Sequence, residues 1–162
     1  MFANRFTALV DACALAGALK RNLLLTLAET EFFRLRWSDQ ILDETEAAIT
    51  SILSGKGVGD AAERAARART AMVTAFEEAC VGDFSGMMGA VVGLPDENDR
   101  HVVAAALKTS AAIVVTDNLK DFPDRVLAPL NLEARSADAF IATPSPWTPA
   151  EPSPPSGGCG ND

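Results

Sequence analysis

Short apolar runs alternating with segments of helical periodicity predict an α/β domain built on a parallel sheet. Two runs carry the prediction, Phe6–Val10 (FTALV) and Ala111–Thr116 (AAIVVT). Both are nearly continuous in apolar residues, as a strand covered on its two faces must be. The third observation is where they end. The first stops at Asp11 and the second runs into Thr116-Asp117-Asn118, so carboxylates stand at the carboxyl ends of both strands. Ligands of open α/β sheets bind at those ends.

The remaining elements follow in order. Leu19, Leu23, Leu24 and Leu27 recur at helical spacing between Leu15 and Thr30. Phe32 to Arg36 reads as a short strand. Ser38 is a suitable N-cap, with Asp39 and Gln40 in the first turn of a helix reaching about Leu53. The buried stripe of that helix is expected at Ile41, Thr45, Ala48 and Ile52. Gly55, Gly57 and Gly59 mark a loop. Asp60 to Cys80 is rich in Ala and Arg and has strong helix propensity, giving two antiparallel helices. Met87 to Leu94 reads as a short strand or extended segment. Pro95 and an acidic loop precede a helix from about Asp99 to Ser110, and the second buried strand follows. Ser136 to Ile141 forms a last short helix or strand. From Thr143 the composition shifts to Pro144, Pro146, Pro149, Pro152, Pro154 and Pro155, then Gly157, Gly158 and Gly160. Such a segment cannot bury a core. The expected organisation is one domain over residues 1–142 and a disordered Pro/Gly-rich tail over 143–162. No internal repeat is present.

Composition narrows the function classes. The 162 residues are 48% hydrophobic and 22% charged, enough for one domain with a real core. Cys13, Cys80 and Cys159 are odd in number and form no CxxC pair, and His101 is the single histidine. A zinc site or a disulfide framework is therefore not expected, and a reducing cytoplasm fits best. Asp11 interrupts what would otherwise resemble a signal-peptide core. No run approaches the ~20 apolar residues of a membrane span, so no membrane association is expected. A net charge of −8 argues against a general nucleic-acid coat protein. It leaves room for a nuclease, because a bound cation reverses the local sign.

The acids gather in four clusters beside different apolar segments: at Asp11, at Asp43-Glu44, at Asp96-Glu97-Asn98-Asp99 and at Asp117-Asn118 with Asp121. Carboxylates that converge repel one another unless something positive sits among them, and a hard divalent cation held by oxygen ligands answers that need. Each member has an ordinary reading beside the functional one. Asp11 suits a turn or a helix cap. Glu44 lies on the flank of its helix's buried stripe while Asp43 points nearly the opposite way, into solvent. Asp99 could cap the helix it opens, although Asp96, Glu97 and Asp99 together exceed what capping needs. Thr116 to Asp121 is also a common turn composition. His101 is expected to pack or face solvent rather than bind metal. Arg100 is the better candidate for phosphate contact. Taken in order, the clusters indicate a metal-dependent enzyme acting on phosphate esters.

These residues together resemble the PIN-domain family, metal-dependent ribonucleases that include many bacterial toxins of toxin–antitoxin pairs. The resemblance spans about Phe6 to Ala142. It is carried by LVDACAL at Leu9–Leu15, LLLTLAE at Leu23–Glu29, RWSDQILDE at Arg36–Glu44, LPDENDRHVVAAAL at Leu94–Leu107, IVVTDNLKDFP at Ile113–Pro123 and DAFI at Asp138–Ile141. It implies a three-layer α/β/α sandwich around a parallel sheet and an acidic quartet binding Mg²⁺ or Mn²⁺. Asp11, Glu44 and Asp99 match the first three acids. At the fourth, where relatives read T-x-D, this chain has Thr116-Asp117-Asn118, so Asn118, Asp117 and Asp121 all stay candidates. Thr116 would orient a ligand carboxylate. Lys20-Arg21-Asn22 also departs from the Arg-Asp of similar proteins, and a proline-rich tail follows DAF where relatives continue as helix. Backbone contacts to RNA would come from Lys20, Arg21, Arg34, Arg36, Arg100, Lys108 and Lys120, with Arg21, Arg100 and Lys120 foremost. The implied activity is endoribonucleolytic hydrolysis of phosphodiester bonds, with an antitoxin protein as partner and homodimerisation as common family behaviour. The alternatives are a PIN-like module that binds without cleaving and, further off, a receiver-like phosphoacceptor domain. The last would need paired acids in its first loop, where Asp11 stands alone.

Overall fold

The computed structural model describes residues 6–142, and the tail expected over 143–162 lies outside them. Its centre is a sheet of four parallel strands in the order β2-β1-β3-β4. These are β1 Phe6–Val10, β2 Phe33–Arg36, β3 Ile113–Val115 and β4 Glu133–Arg135. The α/β domain on a parallel sheet expected from the alternation is thus observed, in keeping with the sandwich that the resemblance implies. The central pair, β1 and β3, is buried on both faces from Thr7 to Val10 and throughout β3, which explains their continuous apolar sequences. Edge strand β2 alternates, with Phe33 and Leu35 inside and Arg34 turned outward. The register aligns Val10 with Val115 and Val115 with Arg135, so the strands end together along one edge.

Seven α-helices flank the sheet among the described residues: α1 Ala12–Leu15, α2 Ala18–Glu29, α3 Asp39–Gly55, α4 Ala61–Ala75, α5 Arg100–Lys108, α6 Asp124–Leu127 and α7 Ala137–Ala142. Ser38 caps α3 as its sequence predicts, its Oγ accepting from the Ile41 N–H at 3.1 Å. Helix α5 packs against β1 and β3, and His101 to Ala106 are all buried. Helix α7 lies against α2, and its Phe140 meets Phe33 of β2 edge-on with ring centroids 4.9 Å apart.

The structure corrects several expectations. Met87–Leu94 joins no strand; Ser85–Ala90 is a 3₁₀ segment and the extended backbone begins only at Val91. Gly86, Gly89 and Gly93 supply little to a ladder, and Gly93 has φ of 91°, which a strand residue does not adopt. The helix expected to reach Cys80 ends at Ala75. Beyond it the chain pairs with Trp37, whose N–H donates to Ala79 O at 3.0 Å and whose carbonyl accepts from the Val81 N–H at 2.8 Å. The segment Ser136–Ile141 resolves as helix α7. On α3 the buried set is Ile41, Leu42, Thr45 and Ile49, with Ile52 41% exposed. Ile52 shares the face of Ile41 but sits three turns on, past the body against which the helix packs. On α2 only Leu24 is buried, and Leu19 is 72% exposed. Strand β4 was not expected, since Glu-Ala-Arg carries no apolar pattern.

Candidate metal centre

Asp11 is the first residue past β1. Its N–H donates to Val115 O at 2.9 Å, which carries the β1–β3 pairing one residue beyond the strand. The residue is 6% exposed, and a carboxylate so placed must be hydrogen-bonded. Its Oδ1 accepts from the Ala12 N–H at 2.8 Å, capping α1. Its Oδ2 accepts from the Thr116 hydroxyl at 3.0 Å and, more weakly, from the Cys13 thiol at 3.4 Å. Thr116 is fully buried at the matching position past β3, and its Oγ1 also accepts from the Asn118 N–H at 3.1 Å. The end of one central strand therefore fixes the acid that ends the other. Cys13 joins the same network: its sulfur accepts from the Asp117 N–H at 3.2 Å. Burial, and then the charge of Asp11, push the Cys13 thiol up, so it stays protonated.

Asp99 ends the 3₁₀ turn Glu97–Asp99 and immediately precedes α5. The capping explanation fails for it. Asp96 does the local work, accepting from the Asn98 N–H at 2.9 Å, whereas the Asp99 side chain makes no cap bond. Instead its carboxyl is pushed up to about 6, by burial first and then by the charges of Asp11, Asp96, Asp121 and Glu44. These acids come from four separate stretches of chain, and the fold brings them near enough to oppose the ionisation of Asp99. Glu44, in the second turn of α3, hydrogen-bonds through Oε2 to His101 Nε2 at 3.0 Å.

The candidates for the fourth acid have different surroundings. Asp121 lies within the electrostatic reach of Asp99. Asp117 faces elsewhere: its Oδ2 accepts from Lys20 Nζ at 3.0 Å and its Oδ1 from the Ala137 N–H at 3.0 Å. Burial raises the Asp117 carboxyl, but those two donors outweigh it and hold the group below the usual range. Asn118 is tied to this turn through its backbone. Asp43, as expected, turns from Glu44, pairing with Arg69 at 2.6 Å.

The cations are differently placed from one another. Arg100 Nη2 donates to Met88 O at 2.6 Å and Nε to Val91 O at 3.0 Å, clamping the glycine-rich segment. Arg21 Nη1 donates to Leu15 O at 2.8 Å and Ala16 O at 3.1 Å, bracing α1 against α2. Lys120 is exposed, one residue from Asp121. Sequence reasoning missed the His101–Glu44 contact and the Lys20–Asp117 ion pair. Neither has a local signal, because 57 and 97 residues separate the partners.

The donors suit a hard divalent cation: they are carboxylate oxygens, negative in sum, at the carboxyl edge of a parallel sheet. Among the described residues, no three His, Cys, Asp or Glu side chains stand close enough together to hold an ion as they are. The fit therefore rests on the donor chemistry and on the mutual repulsion seen at Asp99. Among those residues also, no helix is long and apolar enough to cross a membrane.

Comparison with known proteins places this geometry in context. Residues 7–120 match a family model described as PIN domain, covering β1 through the turn after β3. A stretch of 43 residues is 49% identical to "Putative ribonuclease VapC50" of Mycobacterium tuberculosis. That stretch is 26% of this chain and 25% of the relative, so the match spans about a quarter of the relative's length. No solved structure matches the chain.

Proposed function

The chain belongs to the PIN-domain family, and from that premise we propose that it is a Mg²⁺- or Mn²⁺-dependent endoribonuclease, the toxin of a toxin–antitoxin pair. The observation that supports the reading is the raised carboxyl of Asp99, pushed up by burial first and then by the charges of Asp11, Asp96, Asp121 and Glu44. Asp11, Glu44, Asp99 and Asp121 would hold the ion, and Asp117, committed to Lys20 and α7, would not. When bound, the ion supplies a lowered pKa for a water nucleophile and neutralises charge at the phosphorus.

The chain's own residues prepare that chemistry. Thr116 takes one lone pair of Asp11 Oδ2 and fixes the plane of the carboxylate, an arrangement that orients a ligand before it is needed. Asp99 is free of capping bonds and so available to a ligand. Lys120, exposed beside Asp121, is the candidate for a first contact with RNA phosphate. With −8 overall, the protein would admit RNA by cations at the rim rather than by a broad basic face. On this reading it would act in the cytoplasm, on RNA, with an antitoxin protein as inhibitor and a second copy as dimer partner.

A second reading, a PIN-like module that binds without cleaving, is favoured by one observation: Asn118 stands where the usual fourth acid would be. One experiment separates the two. The purified protein is incubated with a mixed single-stranded RNA pool and Mg²⁺ or Mn²⁺, beside Asp11→Ala and an EDTA control. The nuclease reading expects metal-dependent cleavage that disappears in the variant and with EDTA. Absence of cleavage, together with no Mn²⁺ binding by calorimetry, would sink it in favour of the binding module.

A further inference from the structure

His101 is out of place by composition. It lies in α5 among Val102, Val103, Ala104, Ala105 and Ala106, all buried, and is itself 4% exposed. Its Nε2 reaches Glu44 Oε2 at 3.0 Å, while its Nδ1 is buried with no hydrogen-bond partner. An unsatisfied buried ring nitrogen is destabilising, a cost that an apolar residue of similar size would avoid. Packing alone therefore does not account for a histidine here. The unpartnered atom also fixes the tautomer. A buried N–H with no acceptor is costlier than an acceptor left idle, so the proton sits on Nε2 and points at Glu44.

Glu44 needs such a partner. It is 45% exposed at its side chain, on a different helix from His101, and a glutamate loses rotamer entropy when held. The bond to His101 is the single hydrogen bond its carboxylate makes among the described residues, and it occupies Oε2 alone. Oε1 is left for a ligand.

We infer that His101 is a positioning residue that holds the Glu44 carboxylate, through Nε2–H, in the orientation from which it binds the divalent ion. This rests on the metal-dependent reading above. The buried ring supplies what a surface residue could not, a donor fixed by packing on all sides, so the rotamer of Glu44 is chosen before the ion arrives.

The test measures Mn²⁺ affinity by calorimetry and metal-free Tm for the full chain, for His101→Leu and for His101→Gln. Gln places an amide N–H near Nε2; Leu fills the volume and donates nothing. His101→Leu is expected to bind Mn²⁺ ~10–100-fold more weakly, and His101→Gln to recover most of that loss whatever its Tm. A purely structural role would move Tm and leave affinity unchanged in both. Should His101→Leu not fold, His101→Asn serves, since its shorter amide does not reach Glu44 but stays polar. The inference is overturned if His101→Leu, or Asn in its place, binds Mn²⁺ as tightly as the unsubstituted chain, or if Gln binds no better than that variant. If the unsubstituted chain itself binds no Mn²⁺, the metal-dependent reading has failed and His101 has nothing to position.

Discussion

Asp99 shows how one side chain can register a whole site. Its carboxyl is pushed up to about 6 from an ordinary value of 3.8, burial first and the neighbouring carboxylates next. Between those two values the folded metal-free protein binds more protons than the unfolded chain. Its stability therefore falls as pH rises from about 4 to about 6, and the full penalty is present at pH 7. Asp99→Asn removes the charge that the site resists. It is expected to stabilise the metal-free protein by about 1 kcal/mol at pH 7, a value reduced for solvent screening of a partly exposed group. The gain should vanish below about pH 4. Chemical denaturation of both proteins at pH 3.5, 5 and 7 in EDTA checks this, and equal stability at all three would refute it.

At the scale of elements, the turn after β3 does two separable tasks. Asp117 anchors the start of α7 through the Ala137 N–H and pairs with Lys20 of α2, whereas Asp121 adds to the charges that raise the Asp99 carboxyl. Asp117→Ala is expected to cost about 1 kcal/mol, as for a lost helix-end acceptor, or roughly 2–4 °C in Tm, with Mn²⁺ affinity unchanged. Asp121→Ala is expected to do the reverse, weakening Mn²⁺ binding with little change in metal-free Tm. Calorimetry and thermal melts on the same two preparations decide it. The assignment of the fourth acid would move to Asp117 if its variant lost metal affinity instead. Helix α5 divides its work similarly: its apolar residues cover the central strands, while its first turn carries Arg100 to the glycine-rich segment and His101 to Glu44.

Across the whole molecule, a net charge of −8 makes the compact state repel itself, and that state gains from any cation that binds it. Mg²⁺ that binds the folded state alone stabilises it by about 2.7 kcal/mol at a hundred times its dissociation constant. A rise in Tm with MgCl₂ beyond that produced by NaCl at equal ionic strength is expected, and its loss in Asp11→Ala. A response matched by NaCl would mean general screening in place of a site.

The central strands, the acids at their ends and the Ser38 cap were legible because each is a local pattern. Burial on both faces writes a continuous apolar run, a cap writes one small polar residue, and the order of acids along the chain carries the family resemblance. Strand β4 was hidden because a three-residue edge strand, Glu-Ala-Arg, carries no apolar pattern. The true end of α4 was hidden because a distant backbone, that of Trp37, competes for Ala79 and Val81. Above all, Asp117 and Asp121 look alike in sequence; that Asp117 is held by Lys20 and the Ala137 N–H depends on the turn after β3 and on where α2 and α7 pack. The same holds for Glu44 and His101, brought together by the packing of helices whose contacting residues lie 57 positions apart. Sequence by itself determined the two central buried strands and which acids are available. Only the tertiary structure decided what surrounds each acid, because its neighbours depend on strand register and helix packing rather than on spacing along the chain.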